Sequence, residues 1–188
     1  MHKIFDRVCR WNAVRYEQVY DQQLTVNLLR EELTEYYKAA TDVQQLDALC
    51  DIVYVALGGF WKMNLKLEEL DFSMSHGQEV MAKYIEANDI YPVFNIGAYI
   101  DILAYDQEYS DALALGVIIY AACVQLSSMG FYPDDVEAAL SIVCDANDTK
   151  KVQRVASNVK ANIDKGEFFR PPEPRLTALL EKVYARNN

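Results

Sequence analysis

The residues best suited to chemistry are acids on two consecutive segments. The first reads Leu28-Leu29-Arg30-Glu31-Glu32-Leu33-Thr34-Glu35-Tyr36, which spaces Glu31 and Glu35 at i,i+4 and Glu32 and Glu35 at i,i+3. On a helix all three then fall on one side, with Leu29, Leu33, Tyr36 and Ala40 on the other. By itself such a trio, partly balanced by Arg30 and Lys38, reads as a solvated acidic face. The second segment, Leu46 to Gly58, changes that reading. It is apolar on nearly every side, contains no Lys or Arg, and carries Asp47 and Asp51 in a narrow stripe with Tyr54 and Gly58. A helix that is apolar all round is a central one, and an ionised carboxylate there is costly unless paired or metal-bound. Clustered carboxylates repel one another unless a divalent cation sits among them. Oxygen donors without His or Cys suit Mg²⁺ or Mn²⁺, so the five acids are expected to form a metal cradle. Capping or a satisfied hydrogen bond is the alternative for Asp47, near its helix start.

Composition narrows the surroundings. The 188 residues fit one domain, and 52% hydrophobic with 24% charged content is that of a globular chain. A formal net charge of −10 argues against a broad duplex-binding surface, and a protein this acidic needs cations to handle polyphosphates. Cys9, Cys50, Cys123 and Cys144 lie far apart, with only His2 and His76 to join them, so neither a zinc site nor a disulfide framework is indicated. No basic-then-apolar leader opens the sequence, and the apolar run Ala112 to Leu126 is shorter than the ~20 residues a bilayer requires. The expectation is a reduced, cytoplasmic protein with no membrane partner.

The elements that must hold the acids are helices. Five prolines and seven glycines are scattered, and few stretches alternate apolar and polar as strands do. Helices are expected at roughly 3–20, 24–40, 43–63, 78–87, 94–104, 109–129, 134–145, 150–163 and 174–186, giving an all-α bundle. A further similarity reads either as a degenerate internal repeat or as chance in an Ala- and Leu-rich helical chain. Asp42, Asp47, Ala48 and Leu49 recur as Asp106, Asp111, Ala112 and Leu113 at a constant offset of 64. Glu31, Glu32, Glu35 and Asp51 then correspond to Asn95, Ile96, Tyr99 and Leu115, so the second copy keeps the scaffold and lacks the acids.

Glu31-Glu32-x-x-Glu35 followed by Asp51-Ile-Val-Tyr-Val-Ala-Leu-Gly58 resembles the all-α nucleotide pyrophosphatases, which include the MazG-type enzymes, the dimeric dUTPases and phosphoribosyl-ATP pyrophosphohydrolase. The resemblance is strongest to phage and bacterial proteins labelled phosphoribosyl-ATP pyrophosphohydrolase-like. It extends to Ala146-Asn147-Asp148-Thr149-Lys150 and to Lys165-Gly166-Glu167-Phe168-Phe169-Arg170-Pro171-Pro172, and covers roughly residues 24–65 and 142–173. One departure is Ala48, where the family usually has a Glu three positions before Asp51. Asp47 either takes over that role or binds through water.

The resemblance implies a Mg²⁺-dependent pyrophosphohydrolase (Mn²⁺ being the alternative ion) that splits the α–β bond of a nucleoside triphosphate or related nucleotide. On that reading Glu32, Glu35 and Asp51 are primary ligands, Asp47 a fourth, and Glu31 an outer ligand or general base. Asn147 and Lys150 contact phosphate, while Lys165 and Arg170 lie near the leaving pyrophosphate; for each base the plain alternative is a solvated surface charge. Trp11 stacks on the base and Asn12 reads its edge, or Trp11 fills the bundle core. A homodimer or dimer of dimers is expected, because one short bundle must cover two strongly apolar helices, unless the internal repeat does so within one chain. The competing classes are a helical scaffold that has lost activity and a nucleotide sensor without turnover.

Overall fold

The computed structural model describes residues 1–88, 96–154 and 163–187, and these contain eight α-helices and no strand. They are α1 (His2–Ala13), α2 (Gln22–Lys38), α3 (Asp42–Lys62), α4 (Leu67–Asn88), α5 (Ile96–Tyr105), α6 (Asp111–Ser128), α7 (Pro133–Asp148) and α8 (Glu173–Asn187). The all-α expectation holds. Local chemistry sets several of the boundaries. Asp21 caps α2 by accepting from the Leu24 amide at 2.8 Å, and Thr41 caps α3 by accepting from the Gln44 amide at 3.3 Å. Pro133 opens α7, where the Asp135 carboxylate accepts from the Tyr132 amide at 2.9 Å.

The centre of the bundle is α3, which packs against α1, α2, α6, α7 and α8. Leu46, Leu49, Ile52, Val53, Ala56, Leu57 and Phe60 are fully enclosed along it. Helix α6 is the second core element, packed on α3, α4, α5 and α7. It is also the one described helix long and apolar enough to cross a membrane, with half of its 18-residue span buried inside the bundle. The short connection between α2 and α3 makes them antiparallel neighbours. The α2–α3 pair packs on the α5–α6 pair, α3 against α6 and α2 against α5. This like-with-like arrangement is what a degenerate repeat would produce. It also covers both apolar helices within one chain, so uncovered core surface does not by itself call for a second copy.

Three expected elements differ. The first helix, expected to reach residue 20, stops at Ala13. The Arg15 and Tyr16 amides turn back onto the Asn12 carbonyl at 2.9 and 2.8 Å, and Gln18 Nε2 donates to the Trp61 carbonyl at 2.7 Å, pinning the connection to the end of α3. Helix α4 begins eleven residues earlier than the expected start at 78. Its inward stripe, Leu70, Ser73, Gly77 and Met81, uses small residues that carry no apolar signal. The expected helix at 150–163 falls largely on 155–162, outside the described residues, and 151–154 are not helical.

The small residues allow α4 and α6 to approach closely: a Cβ added at Gly116 would sit 2.5 Å from Ser73 backbone atoms. Helix propensity alone favours Ala over Gly by ~1 kcal/mol, whereas overpacking costs ~1–3 kcal/mol. Gly116→Ala is therefore expected to lower the thermal midpoint by about 2–6 °C. A calorimetric midpoint at or above that of the wild type would show that the two helices part freely.

Candidate functional site

A cavity of about 450 Å³ opens between α1, α2, α3 and the segment that follows α7. Helix α2 presents Thr25, Leu28, Glu32 and Glu35 to it, positions that recur at three- and four-residue steps and so share one face. Helix α3 contributes Asp51, Tyr54, Val55, Gly58, Gly59 and Lys62, a stripe running from an acid to a cation. At 1.5 Å per residue that stripe is roughly 16 Å long. Asn147, Lys150 and Lys165 close the acidic end, while Trp11, Asn12 and Tyr16 form the wall from α1 and the turn after it. Eight of the eleven residues singled out from the sequence thus meet around one cavity: Trp11, Asn12, Glu32, Glu35, Asp51, Asn147, Lys150 and Lys165.

The other three lie apart from its walls. Glu31 is exposed, because one residue of helix turns it about 100° away from Glu32. Asp47 is partly buried one turn before Asp51, and its Oδ1 is buried without a hydrogen-bond partner among the described residues. It is not the cap of α3, a role taken by Thr41. Arg170 is exposed, and its backbone amide donates to Thr149 Oγ1 at 3.0 Å.

That bond belongs to a small scaffold which explains how Lys150 and Lys165 reach the same place. The Lys151 amide donates to the Asp164 carbonyl at 3.1 Å, and the Gly166 amide to Asp164 Oδ1 at 2.7 Å. Gly166 has φ 67°, and an added Cβ would meet Lys151 Cε at 3.0 Å, so the residue after Lys165 needs to be glycine. The paired strands of chain are held to α7, whose last turn is fixed in turn by Arg7. Its Nη2 donates to Asp145 Oδ1 at 2.7 Å and to Asp148 Oδ2 at 2.6 Å.

The electrostatics of the acidic end are those of crowded carboxylates. Burial pushes the Asp47 carboxyl up to about 6, with the charges of Glu173 and Glu35 adding to it and Lys150 and Lys165 opposing. Burial also holds Asp51 well above the carboxylate range, reinforced by Glu32 and Asp47 and relieved by Lys150. Burial lowers the Lys150 ammonium, an effect countered chiefly by Asp51. Glu173, at the start of α8, carried no motif that would have marked it as a neighbour of Asp47. Lys62 was legible in principle, since it continues the stripe Asp51, Tyr54, Gly58 at helical spacing.

The wall from α1 and the turn after it is aromatic and polar. Trp11 Nε1 donates to the Asn147 carbonyl at 2.8 Å, and the Arg15 guanidinium lies 4.3 Å from the Trp11 ring centroid. Tyr54 meets the same ring edge-on at 5.7 Å. Trp11 is therefore a packed wall whose face is already engaged. Asn12 Nδ2 donates to the Val8 carbonyl at 2.8 Å, and the amide lies against Gly58. Tyr16 lines the cavity with the Lys62 ammonium 5.0 Å from its ring centroid.

The donor set fits a hard divalent cation in kind. Glu32, Glu35 and Asp51 share a cavity wall, and Asp47 has a buried oxygen without a partner. The fit is not preformed: among the described residues no three Asp, Glu, His or Cys side chains already converge closely enough to hold an ion.

The crowding has a sign that can be measured. A carboxyl whose folded pKa lies above its unfolded value stabilises the fold in acid and loses that contribution as pH rises through the folded value. For Asp47 the window runs from the ordinary 3.8 to about 6. In chelator-treated protein Asp47→Asn is expected to raise the thermal midpoint by about 2–6 °C at pH 7.5 and to leave it nearly unchanged at pH 4. Equal effects at the two pH values would remove the case for charge crowding.

Residues 1–72, which hold α1, α2, α3 and the start of α4, match the family model described as phosphoribosyl-ATP pyrophosphohydrolase. No curated protein and no solved structure matches the chain. The matched segment supplies Glu32, Glu35, Asp47 and Asp51, and leaves Lys150 and Lys165 outside it. Over those 72 residues the chain is similar to the phosphoribosyl-ATP pyrophosphohydrolase family, and its described residues are all-helical.

Proposed function

We propose that this protein is a Mg²⁺-dependent nucleotide pyrophosphohydrolase that cleaves the α–β bond of a nucleoside triphosphate or related nucleotide to monophosphate and pyrophosphate. The observation that carries this reading is the facing of Glu32, Glu35 and Asp51 by Lys150 and Lys165 across one end of a single cavity. Acids alone would repel a polyphosphate, and lysines alone would bind it without activating water. Glu32, Glu35, Asp51 and Asp47 are the residues that would hold the ion. When bound, it supplies charge neutralisation of the phosphate oxygens and a lowered pKa for the attacking water. Lys150 and Lys165 take the charge of the phosphates, with Asn147 beside them. A carboxylate lining the cavity must accept the proton of the attacking water as the P–O bond to the α–β bridging oxygen breaks and pyrophosphate leaves. Glu31 does not line the cavity, so the role is assigned to Glu35, the most exposed of the cavity carboxylates, through an oxygen it does not give to the ion. The nucleoside is placed toward Asn12, Tyr16 and the Gly58–Gly59 floor, where the walls are aromatic and polar rather than acidic. Asp47 replaces the family's Glu at position 48, where Ala48 is buried in the core.

A second reading, a nucleotide-binding or scaffold protein without turnover, is favoured by Ala48 and by the absence of a preformed ligand trio among the described residues. Pyrophosphate release from a panel of nucleoside triphosphates with Mg²⁺ or Mn²⁺ separates the two. Glu35→Gln and Asp51→Asn are expected to lower kcat at least ~100-fold while leaving the protein folded. Orthophosphate as the first product would refute the assigned bond, and no turnover on any substrate would leave the second reading standing.

The resemblance further suggests a homodimer or dimer of dimers in the cytoplasm, where nucleotides are made and where four free cysteines fit. Light scattering at micromolar concentration is expected to give twice the chain mass or more. A fully active monomer would transfer the covering role entirely to the α5–α6 pair.

A further inference from the structure

We propose that Arg15 is a positioning residue for Lys150: from the turn after α1 it grips the Lys150 carbonyl and so fixes the lysine that faces the carboxylates. The inference rests on the reading of that end of the cavity as a polyphosphate site. Arg15 is only 3% exposed, yet it does not line the cavity. Its Nη1 donates to the Trp11 carbonyl at 3.1 Å and its Nη2 to the Lys150 carbonyl at 3.0 Å. The guanidinium lies over the Trp11 ring, and Nε has no hydrogen-bond partner among the described residues. A buried guanidinium is costly unless its donors are used, and here both donations that are made go to main-chain oxygens.

The arrangement is a two-rung ladder. Trp11 takes the Asn147 carbonyl and Arg15 the Lys150 carbonyl, so side chains four residues apart hold carbonyls three residues apart at the end of α7. Helix C-termini leave carbonyls without intrahelical partners and favour a cation beside them. Lys150 is the first residue past the C-cap Thr149, and its amide still bonds back to the Asn147 carbonyl at 3.1 Å. With both its amide and its carbonyl held, the Lys150 backbone cannot swing, and the flexible side chain starts from a fixed root. A lysine side chain has many rotamers to lose on binding, which makes the placement of its root matter for phosphate binding.

The test is a double-mutant cycle in the full chain, read as the Kd of inorganic tripolyphosphate with Mg²⁺ and as KM and kcat separately. Arg15→Met and Lys150→Met are each expected to weaken tripolyphosphate binding about tenfold, and the double variant no more than Lys150→Met alone. The loss is expected mainly in KM. Arg15→Lys keeps the charge but not the two-carbonyl fork, and should recover little. If Arg15→Met does not fold, Arg15→Lys takes its place in the cycle. Additive losses, near a hundredfold in the double variant, would overturn the proposal, as would wild-type affinity in Arg15→Lys. Wild-type protein that binds no tripolyphosphate would instead bring down the phosphate-site reading itself, and this proposal with it.

Discussion

Two carboxylates one turn apart on the most enclosed helix of the bundle govern the arrangement around them. Asp47 and Asp51 interrupt an otherwise apolar α3, and nothing on that helix offsets their charge until Lys62, at its far end. Burial disfavours both ionised forms, and Glu32 and Glu35 on the neighbouring helix increase the repulsion. A fold selected only for stability would place leucines there. The acids stand there against that cost, and the positive charge of Lys150 and Lys165 opposes theirs.

That charge arrives from distant sequence. Lys150 and Lys165 lie outside the described helices, held together by the Asp164 turn, Gly166 and the Thr149 hydroxyl. The segment is in turn tied to α7, and α7 to α1, through Arg7 and Trp11. The first helix therefore acts on the site chiefly through what it holds. Its indole and guanidinium are engaged with one another and with main-chain carbonyls, which leaves Asn12 and Tyr16 as the parts of this region that present polar atoms to the cavity.

Paired helices provide the frame for these contacts. The α2–α3 and α5–α6 pairs cover each other's apolar faces, and the second pair brings no acid at the position matching Asp51, where it has Leu115. One pair carries the acids and the other supplies packing. Small residues at Ser73, Gly77 and Gly116 let α4 close against α6 and complete the core on that side.

Periodicity and residue type by themselves determined the helical class, the central position of α3, and the acids Glu32, Glu35 and Asp51. Each of these depends on local spacing, which a helix converts directly into a shared face. The motifs Asn147 to Lys150 and Lys165-Gly166 were legible as well, although nothing local says that they meet. Tertiary structure decided the rest. It ended α1 at Ala13, where amides turning back and a side chain bonded to α3 outweigh helix propensity in a stretch without Gly or Pro. It began α4 early, because the close contact with α6 is made by Ser73 and Gly77, which no hydrophobic pattern reveals. It turned Glu31 outward while keeping Glu32 inward, a choice set by the direction from which α3 packs. It also engaged the Arg170 backbone amide with Thr149, and set the Arg15 guanidinium against the Lys150 carbonyl. Those outcomes depend on contacts between residues distant in sequence, from 21 positions for Arg170 and Thr149 to 135 for Arg15 and Lys150, and local spacing carries no information about them.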